Sequence, residues 1–161
     1  MASLLKETYM KKSFRLTKEG INDFQAELEI LISKRAGIAE SIKTARELGD
    51  LSENAEYQSA RLEQDRNETR ISELETILQN TEVIQKPKGD SKVQLGSMVK
   101  LKNESGVKQF QVVGTVEADP LNGKISDESP IGGALLGKKV GDSVEISGPN
   151  ELIHYKVIEI S

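Results

Sequence analysis

The chain has 161 residues, of which 36% are hydrophobic and 30% charged, with three Phe, three Tyr, no Trp, no Cys and a formal net charge of −4. Without cysteine there is no disulfide framework and no thiolate metal site, which fits a reducing cytoplasm, and no apolar run approaches the roughly 20 residues that span a bilayer. A free-standing nucleic-acid binder usually carries a basic excess to neutralise phosphates; here that excess is missing, so if nucleic acid is involved another protein must bring the chain to it.

Residues 1–14 are mixed, interrupted by Lys6, Glu7, Lys11 and Lys12. They lack the apolar core of a signal peptide and read as a loosely held N-terminal extension. From Leu16 to Ile84 the pattern is helical. Ile21, Phe24, Leu28, Leu31, Arg35, Ile38, Ile42 and Ala45 alternate spacings of three and four, the a/d seam of a coiled coil. Thr17 suits the N-cap of this helix and Gly49 its C-terminal end. Tyr57, Ala60, Gln64, Asn67, Ile71, Leu74, Leu78 and Thr81 form a second seam. Folded antiparallel, the seams pair Ala45 with Tyr57, Ile42 with Ala60 and Ile21 with Thr81, all centred on Leu51. The register therefore predicts a hairpin over residues 15–84, turning at Gly49 to Ser52. Each arm of about 30 residues is roughly 45 Å long at 1.5 Å per residue. Arg35 opposite Asn67 predicts a polar layer that fixes register at some cost in stability. Such a hairpin fills its own seam, which predicts a monomer.

Residues 85–92 hold Pro87, Gly89, Asp90 and Ser91 and read as a linker. Beyond them, residues 93–161 show short strands between turn signals: one around Val99 and Leu101, then Phe110 to Val116, Gly123 to Ser126, Ser143 to Ser147 and Leu152 to Ile160. Pro130 and Gly137 suit the start and end of a short helix. The fold class is α+β, an antiparallel helical hairpin followed by a small antiparallel sheet with one short helix.

The hairpin tip, residues 49–54, carries Asp50 and Glu53. One reading is structural: Asp50 is an N-cap and Glu53 its capping-box partner, with Ser52 as an alternative cap. The other is that the two carboxylates help to hold a cation. They are too few to hold Mg²⁺ tightly alone, since it takes six oxygens in an octahedron, but they could complete a site whose other ligands come from a partner. Lys43, Arg46 and Arg61 lie near the turn of a hairpin that is otherwise acidic, with 15 acidic and 8 basic residues between Thr17 and Ile84. They make either a basic working end or ordinary i, i+4 pairs along solvated faces. His154, the single histidine, alternates with the apolar positions of the last strand and is assigned no role.

Ala45-Arg46-Glu47-Leu48-Gly49-Asp50-Leu51-Ser52-Glu53-Asn54-Ala55-Glu56-Tyr57 resembles the signature of the Gre transcript cleavage factors, and so does Leu16-Thr17-Lys18-Glu19-Gly20. Ser129-Pro130-Ile131-Gly132-Gly133-Ala134-Leu135-Leu136-Gly137-Lys138 resembles the family's second signature. The resemblance covers nearly the whole chain after Phe14 and is nearer to the family's A type than to its B type. It implies a coiled coil that enters the secondary channel of bacterial RNA polymerase, while an FKBP-like C-terminal domain docks on the channel rim through Ser129, Pro130 and Ile131. It implies that Asp50 and Glu53 share a Mg²⁺ with the polymerase active site, no cofactor being bound by the chain alone. Lys43, Arg46, Asn54, Tyr57 and Arg61 then face the channel or the RNA 3′ end. The implied outcome is polymerase's own endonucleolytic cleavage of backtracked RNA, so the factor is no enzyme by itself. A DNA-binding, cytoplasmic transcription regulator with no membrane partner follows from the same family.

Three other readings compete. A channel binder that inhibits without cleavage shares the fold but carries a different, more acidic tip. A prolyl isomerase needs an aromatic-lined apolar pocket, and the C-terminal half offers only Phe110 and Tyr155. A purely structural coiled coil explains the seams but neither the tip nor the second domain.

Overall fold

The computed structural model describes residues 13–50, 54–85 and 92–161. Residues 1–12 of the expected extension at 1–14, residues 86–91 of the expected linker at 85–92 and the tip residues Leu51, Ser52 and Glu53 lie outside the described residues. The chain divides into two units. One is Ile21–Asn80; the other joins Thr81–Ser161 to the residues before Ile21.

The first unit consists of most of helix α1 (Lys18–Glu47) and helix α2 (Ala55–Gln79). The seam is as the spacing predicts: Ile38, Ile42, Ala45, Ala60, Ile71 and Leu74 are buried, and Phe24, Leu28, Leu31, Tyr57, Gln64 and Leu78 are half-buried. Burying each large aliphatic side chain contributes about 1.5–3 kcal/mol. With so few aromatics, that stripe is what holds the two helices together. The polar layer is built differently from the expected facing pair. Asn67 is buried and donates to the Leu31 carbonyl at 3.0 Å. Arg35 turns outward and makes a two-pronged ion pair with Glu68, both bonds 2.8 Å. A guanidinium in the seam would lose its water with no carboxylate there to replace it, whereas a short amide can satisfy itself on a backbone carbonyl. Arg70 bridges the helices in the same way to Glu27 and lies over the Phe24 ring, 5.9 Å from its centroid. The Glu27 carboxylate beside it raises the Arg70 pKa.

The second unit differs from the expected layout at its start. Phe14–Leu16 is a strand, β1, that pairs in parallel with β2 (Thr81–Val83). The helical pattern therefore ends at Gln79, where Asn80 caps α2, and not at Ile84. The β-branched Thr81 and Val83 suit the extended pairing that follows. Thr17 caps α1 as expected, its hydroxyl accepting the Gly20 N–H at 3.0 Å.

The main sheet has the order β5-β4-β3-β7-β6. Its strands are β3 (Met98–Asn103), β4 (Gly106–Val113), β5 (Lys124–Ser126), β6 (Ser143–Ser147) and β7 (Leu152–Ile160). Three of its four pairings are antiparallel; β4 with β5 is parallel, so the sheet is mixed and not purely antiparallel. β4 also begins and ends earlier than expected. Residues Thr115–Glu117 form a 3₁₀ turn, and Pro120–Asn122 form a second. These two turns carry the chain round to the parallel partner, which a two-residue hairpin cannot do. Val99, Leu101, Val112, Ile125, Val144, Tyr155 and Val157 fill the core, together with Leu135 from helix α3 (Pro130–Leu135). Val93 joins that core; its N–H donates to the Lys138 carbonyl at 2.8 Å and its carbonyl accepts the Gly137 N–H at 2.9 Å. Tyr155 is buried here and Phe110 packs half-buried against the same cluster.

Candidate functional site

Helix α1 stops because Gly49 takes a φ of +124°, a region that side-chain-bearing residues rarely adopt, after Leu48 has turned its N–H back to Ala45 at 3.2 Å. Helix α2 starts at Asn54, whose backbone is extended and whose Oδ1 accepts the Tyr57 N–H at 3.0 Å. Asn54 is thus the N-cap. Asn54, and not Asp50, is therefore the residue directly before α2, and the alternative cap Ser52 lies outside the described residues. Asp50 is exposed. Glu53 is outside the described residues, and so the side-chain geometry of the acidic pair is too. Among the described residues no cluster of three or more His, Cys, Asp or Glu could hold a metal ion.

The same Asn54 side chain reaches across the turn. Its Nδ2 donates to the Ala45 carbonyl at 2.7 Å. One amide therefore serves the end of one helix and the start of the other. Residue spacing placed Asn54 near the tip; the signal for its cap role was its rank among N-cap residues directly before Ala-Glu-Tyr.

The three basic residues singled out by sequence do come together. Lys43, Arg46 and Arg61 line a shallow groove of about 440 Å³ with Ile42 and Gln64. Arg46 lies over the Tyr57 ring at 5.8 Å, and Arg61 donates to Gln64 at 2.9 Å. A cation on an aromatic face is attracted by the ring quadrupole and loses little of its charge. The groove therefore gathers three cations with exposed heads around one carboxylate, Glu47. That arrangement attracts phosphate or carboxylate.

In the second unit, Ser129 is the N-cap of α3. Its Oγ accepts the Gly132 N–H at 3.1 Å and donates to the Ser126 carbonyl at 2.6 Å. Pro130 sits at the first helical position, where its missing N–H costs nothing, and is exposed; Ile131 packs half-buried against the core. Gly132 has no room for a side chain, since a Cβ would overlap the Ser126 carbonyl oxygen. The turn that presents Ser129 and Pro130 is rigid for these reasons. His154 stands on the outer face of β7 with Nδ1 3.5 Å from Glu145, a surface pair as its position suggested.

Residues 14–83 match the domain described as "Transcription elongation factor, N-terminal", and residues 86–161 match "Transcription elongation factor, GreA/GreB, C-term". The chain belongs to the GreA/GreB transcription elongation factor family. It is 50% identical over 156 residues to transcription elongation factor GreA of Thermoanaerobacter pseudethanolicus, covering 94% of this chain and 99% of that protein. Its identity to GreA of Thermotoga neapolitana is 44%, covering 93% and 98%. Among solved structures it is similar to the transcription factor Gfh1, with 32% identity, a TM-score of 0.47 and coverage of 94% and 99%. As a Gre-family elongation factor the chain acts with RNA polymerase in transcription. No helix among the described residues is long and apolar enough to cross a membrane.

Proposed function

We propose that this Gre-family factor enters the secondary channel of RNA polymerase as a monomer in the cytoplasm. There it stimulates the polymerase to cut its own backtracked RNA, which rescues arrested complexes. The observation that carries the reading is the cap at Asn54. Asn54 caps α2, so the exposed carboxylate of Asp50 stands at the end of a hairpin arm about 45 Å long beside a helix start that another side chain caps. Carboxylate oxygens are the hard donors that Mg²⁺ prefers. Two carboxylates are too few to hold the ion tightly alone, so the donor set fits an ion shared with a partner. Asp50 and Glu53 are the residues that would hold it. When bound beside a polymerase ion, Mg²⁺ supplies charge stabilisation for phosphodiester hydrolysis.

The other residues position and attract. Lys43, Arg46 and Arg61 draw the RNA phosphates or the channel wall toward the tip, with Tyr57 holding Arg46 in place. Ser129, Pro130 and Ile131 form the docking turn on the channel rim. The factor supplies side chains to an active site that belongs to polymerase, so it is inert alone.

The test is cleavage of backtracked complexes with wild-type protein, without it, and with the Asp50→Asn, Glu53→Gln double variant. Wild type should shorten the RNA from its 3′ end; the double variant should bind polymerase and leave the RNA intact. Wild-type protein that binds the channel without promoting cleavage would favour a non-cleaving modulator. A double variant that cleaves at the wild-type rate would end the metal-ligand role.

A further inference from the structure

We infer that Asn54 is the positioning residue of the tip: its side-chain amide ties the C-terminal end of α1 to the N-terminal end of α2 and so holds together the two ends of the turn on which Asp50 stands. The inference rests on the cleavage reading above for its activity arm, and on geometry for the rest.

The two helix ends that meet at this turn have opposite needs. The last carbonyls of α1 lack intrahelical donors, and the first N–H groups of α2 lack acceptors. Ala45 lies in the last turn of α1, where its carbonyl already accepts the Leu48 N–H at 3.2 Å and takes Asn54 as a second donor, and Tyr57 supplies an early N–H of α2. A carboxamide has one acceptor and two donors on adjacent atoms. Asn54 uses the Oδ1 for Tyr57 at 3.0 Å and the Nδ2 for Ala45 at 2.7 Å. Its own carbonyl also accepts the Gln58 N–H at 3.1 Å, which locks its backbone to the first turn of α2.

Chemistry limits what else could do this. Aspartate and serine cap helices about as well as asparagine, but ionised aspartate has no proton to give to Ala45. Serine stops one atom short of it. Glutamine has the amide but is a poor cap. The usual choice among cap residues is permissive, and this site makes it restrictive through the second bond. Three residues separate Asp50 from Asn54, and Glu53 is covalently next to Asn54. Holding Asn54 against Ala45 therefore pins both ends of the segment that carries the acids. Placement errors of about 1 Å at a reacting centre cost on the order of a hundredfold in rate.

The experiment uses full-length Asn54→Ser and Asn54→Asp proteins beside Asp50→Asn. Amide exchange at Tyr57 and Gln58 reports the cap, competition with wild type reports polymerase binding, and RNA shortening reports cleavage. Both Asn54 variants should keep Tyr57 protection and polymerase affinity within about threefold, and lose cleavage by about tenfold to a hundredfold. The Asp50→Asn, Asn54→Ser double variant should cleave no worse than Asp50→Asn alone, because Asn54 acts through the acids; a merely structural role would make the losses add. In the wild type, the Asn54 carboxamide protons should exchange at least tenfold more slowly than those of a free asparagine side chain.

Asn54 variants that cleave at the wild-type rate while Asp50→Asn does not would overturn the inference. So would carboxamide exchange at the free rate, whatever the activity. Wild-type cleavage by Asp50→Asn would instead count against the role given to the acids, and leave the tie to be decided by the exchange data.

Discussion

The Glu117 carboxylate closes on Thr17 across 100 positions of sequence: Oε2 accepts the Thr17 backbone N–H at 2.9 Å, and Oε1 accepts its hydroxyl. That hydroxyl accepts the Gly20 N–H in turn, so a buried acid holds the residue that caps the 30-residue helix α1. Lys124 stands 3.7 Å from the same carboxylate. Thr17→Val removes the cap and strands one carboxylate oxygen, and should destabilise the protein by about 1–3 kcal/mol. Thr17→Ser keeps both bonds and should stay near wild type. Urea unfolding of the two variants checks the difference; a larger loss for Thr17→Ser than for Thr17→Val would mean that the methyl group, and not the hydroxyl, is what matters.

Gly20 packs so closely on Glu117 that a Cβ would overlap its carboxylate. Gly37, on the same helix, has open space. Glycine to alanine in a helix ordinarily gains about 1 kcal/mol. Gly37→Ala should show that gain, and Gly20→Ala should reverse its sign. Chemical denaturation decides it, and a Gly20→Ala protein as stable as Gly37→Ala would refute the close approach.

The Arg35 guanidinium, bonded to Glu68, holds that carboxyl below the usual glutamate range. A depressed pKa adds stability that is present above the unfolded value and is lost as pH falls through the folded one. The contribution is small because both groups are exposed. Wild type and Glu68→Gln should therefore differ slightly at neutral pH and converge in acid, below about pH 4. A Glu68 titration by NMR that shows no downward displacement would remove the basis of this expectation.

The seams of α1 and α2 were legible because a 3.5-residue repeat is a local signal, and Thr17 and Gly49 were legible as caps by residue type. Arg35 and Asn67 were correctly placed in one layer, yet their partners were not visible, because a seam pattern does not say which polar group turns outward. The β1–β2 pair was missed for a related reason. Two three-residue strands separated by a whole hairpin have no periodicity of their own, and Leu16 and Thr81 both fit the helical count. The parallel placement of β5 and the bond between Glu117 and Thr17 are tertiary facts with no local mark. At the tip, the spacing of Asp50 and Glu53 by itself favoured capping, and the metal reading came from the family resemblance; that Asn54 is the cap of α2 is set by which residue directly precedes the helix, which spacing alone does not mark.

Pro130 is exposed on the turn that Ser129 caps and Gly132 packs. If that turn docks on polymerase, Pro130→Ala should leave the melting temperature within about 2 °C of wild type, as surface changes usually do, and weaken competition for polymerase by about tenfold. Gly132→Ala should lower both, because its Cβ would collide with backbone. A Pro130→Ala protein that competes as wild type does would move the docking surface elsewhere.

Arg46 and Arg61 test the electrostatics of the tip groove. Both heads are exposed, so their pull on a phosphate is screened by salt over a Debye length of about 10 Å at 0.1 M and about 3 Å at 1 M. Arg61 has a neutral partner, Gln64, and keeps its full charge. Arg61→Ala should therefore weaken crosslinking of the hairpin to the RNA 3′ end most at low salt, with the gap to wild type closing as salt rises. Arg46 depends also on the ring beneath it. Tyr57→Phe keeps that ring and should crosslink as wild type does; Tyr57→Ala frees the guanidinium and should behave like a partial Arg46→Ala, with a loss of about twofold to fivefold for a contact worth roughly 0.5–1 kcal/mol. If the cations serve only the helices, through i, i+4 pairing, then Arg46→Ala and Arg61→Ala should change unfolding by a few tenths of a kcal/mol and leave crosslinking untouched at every salt concentration.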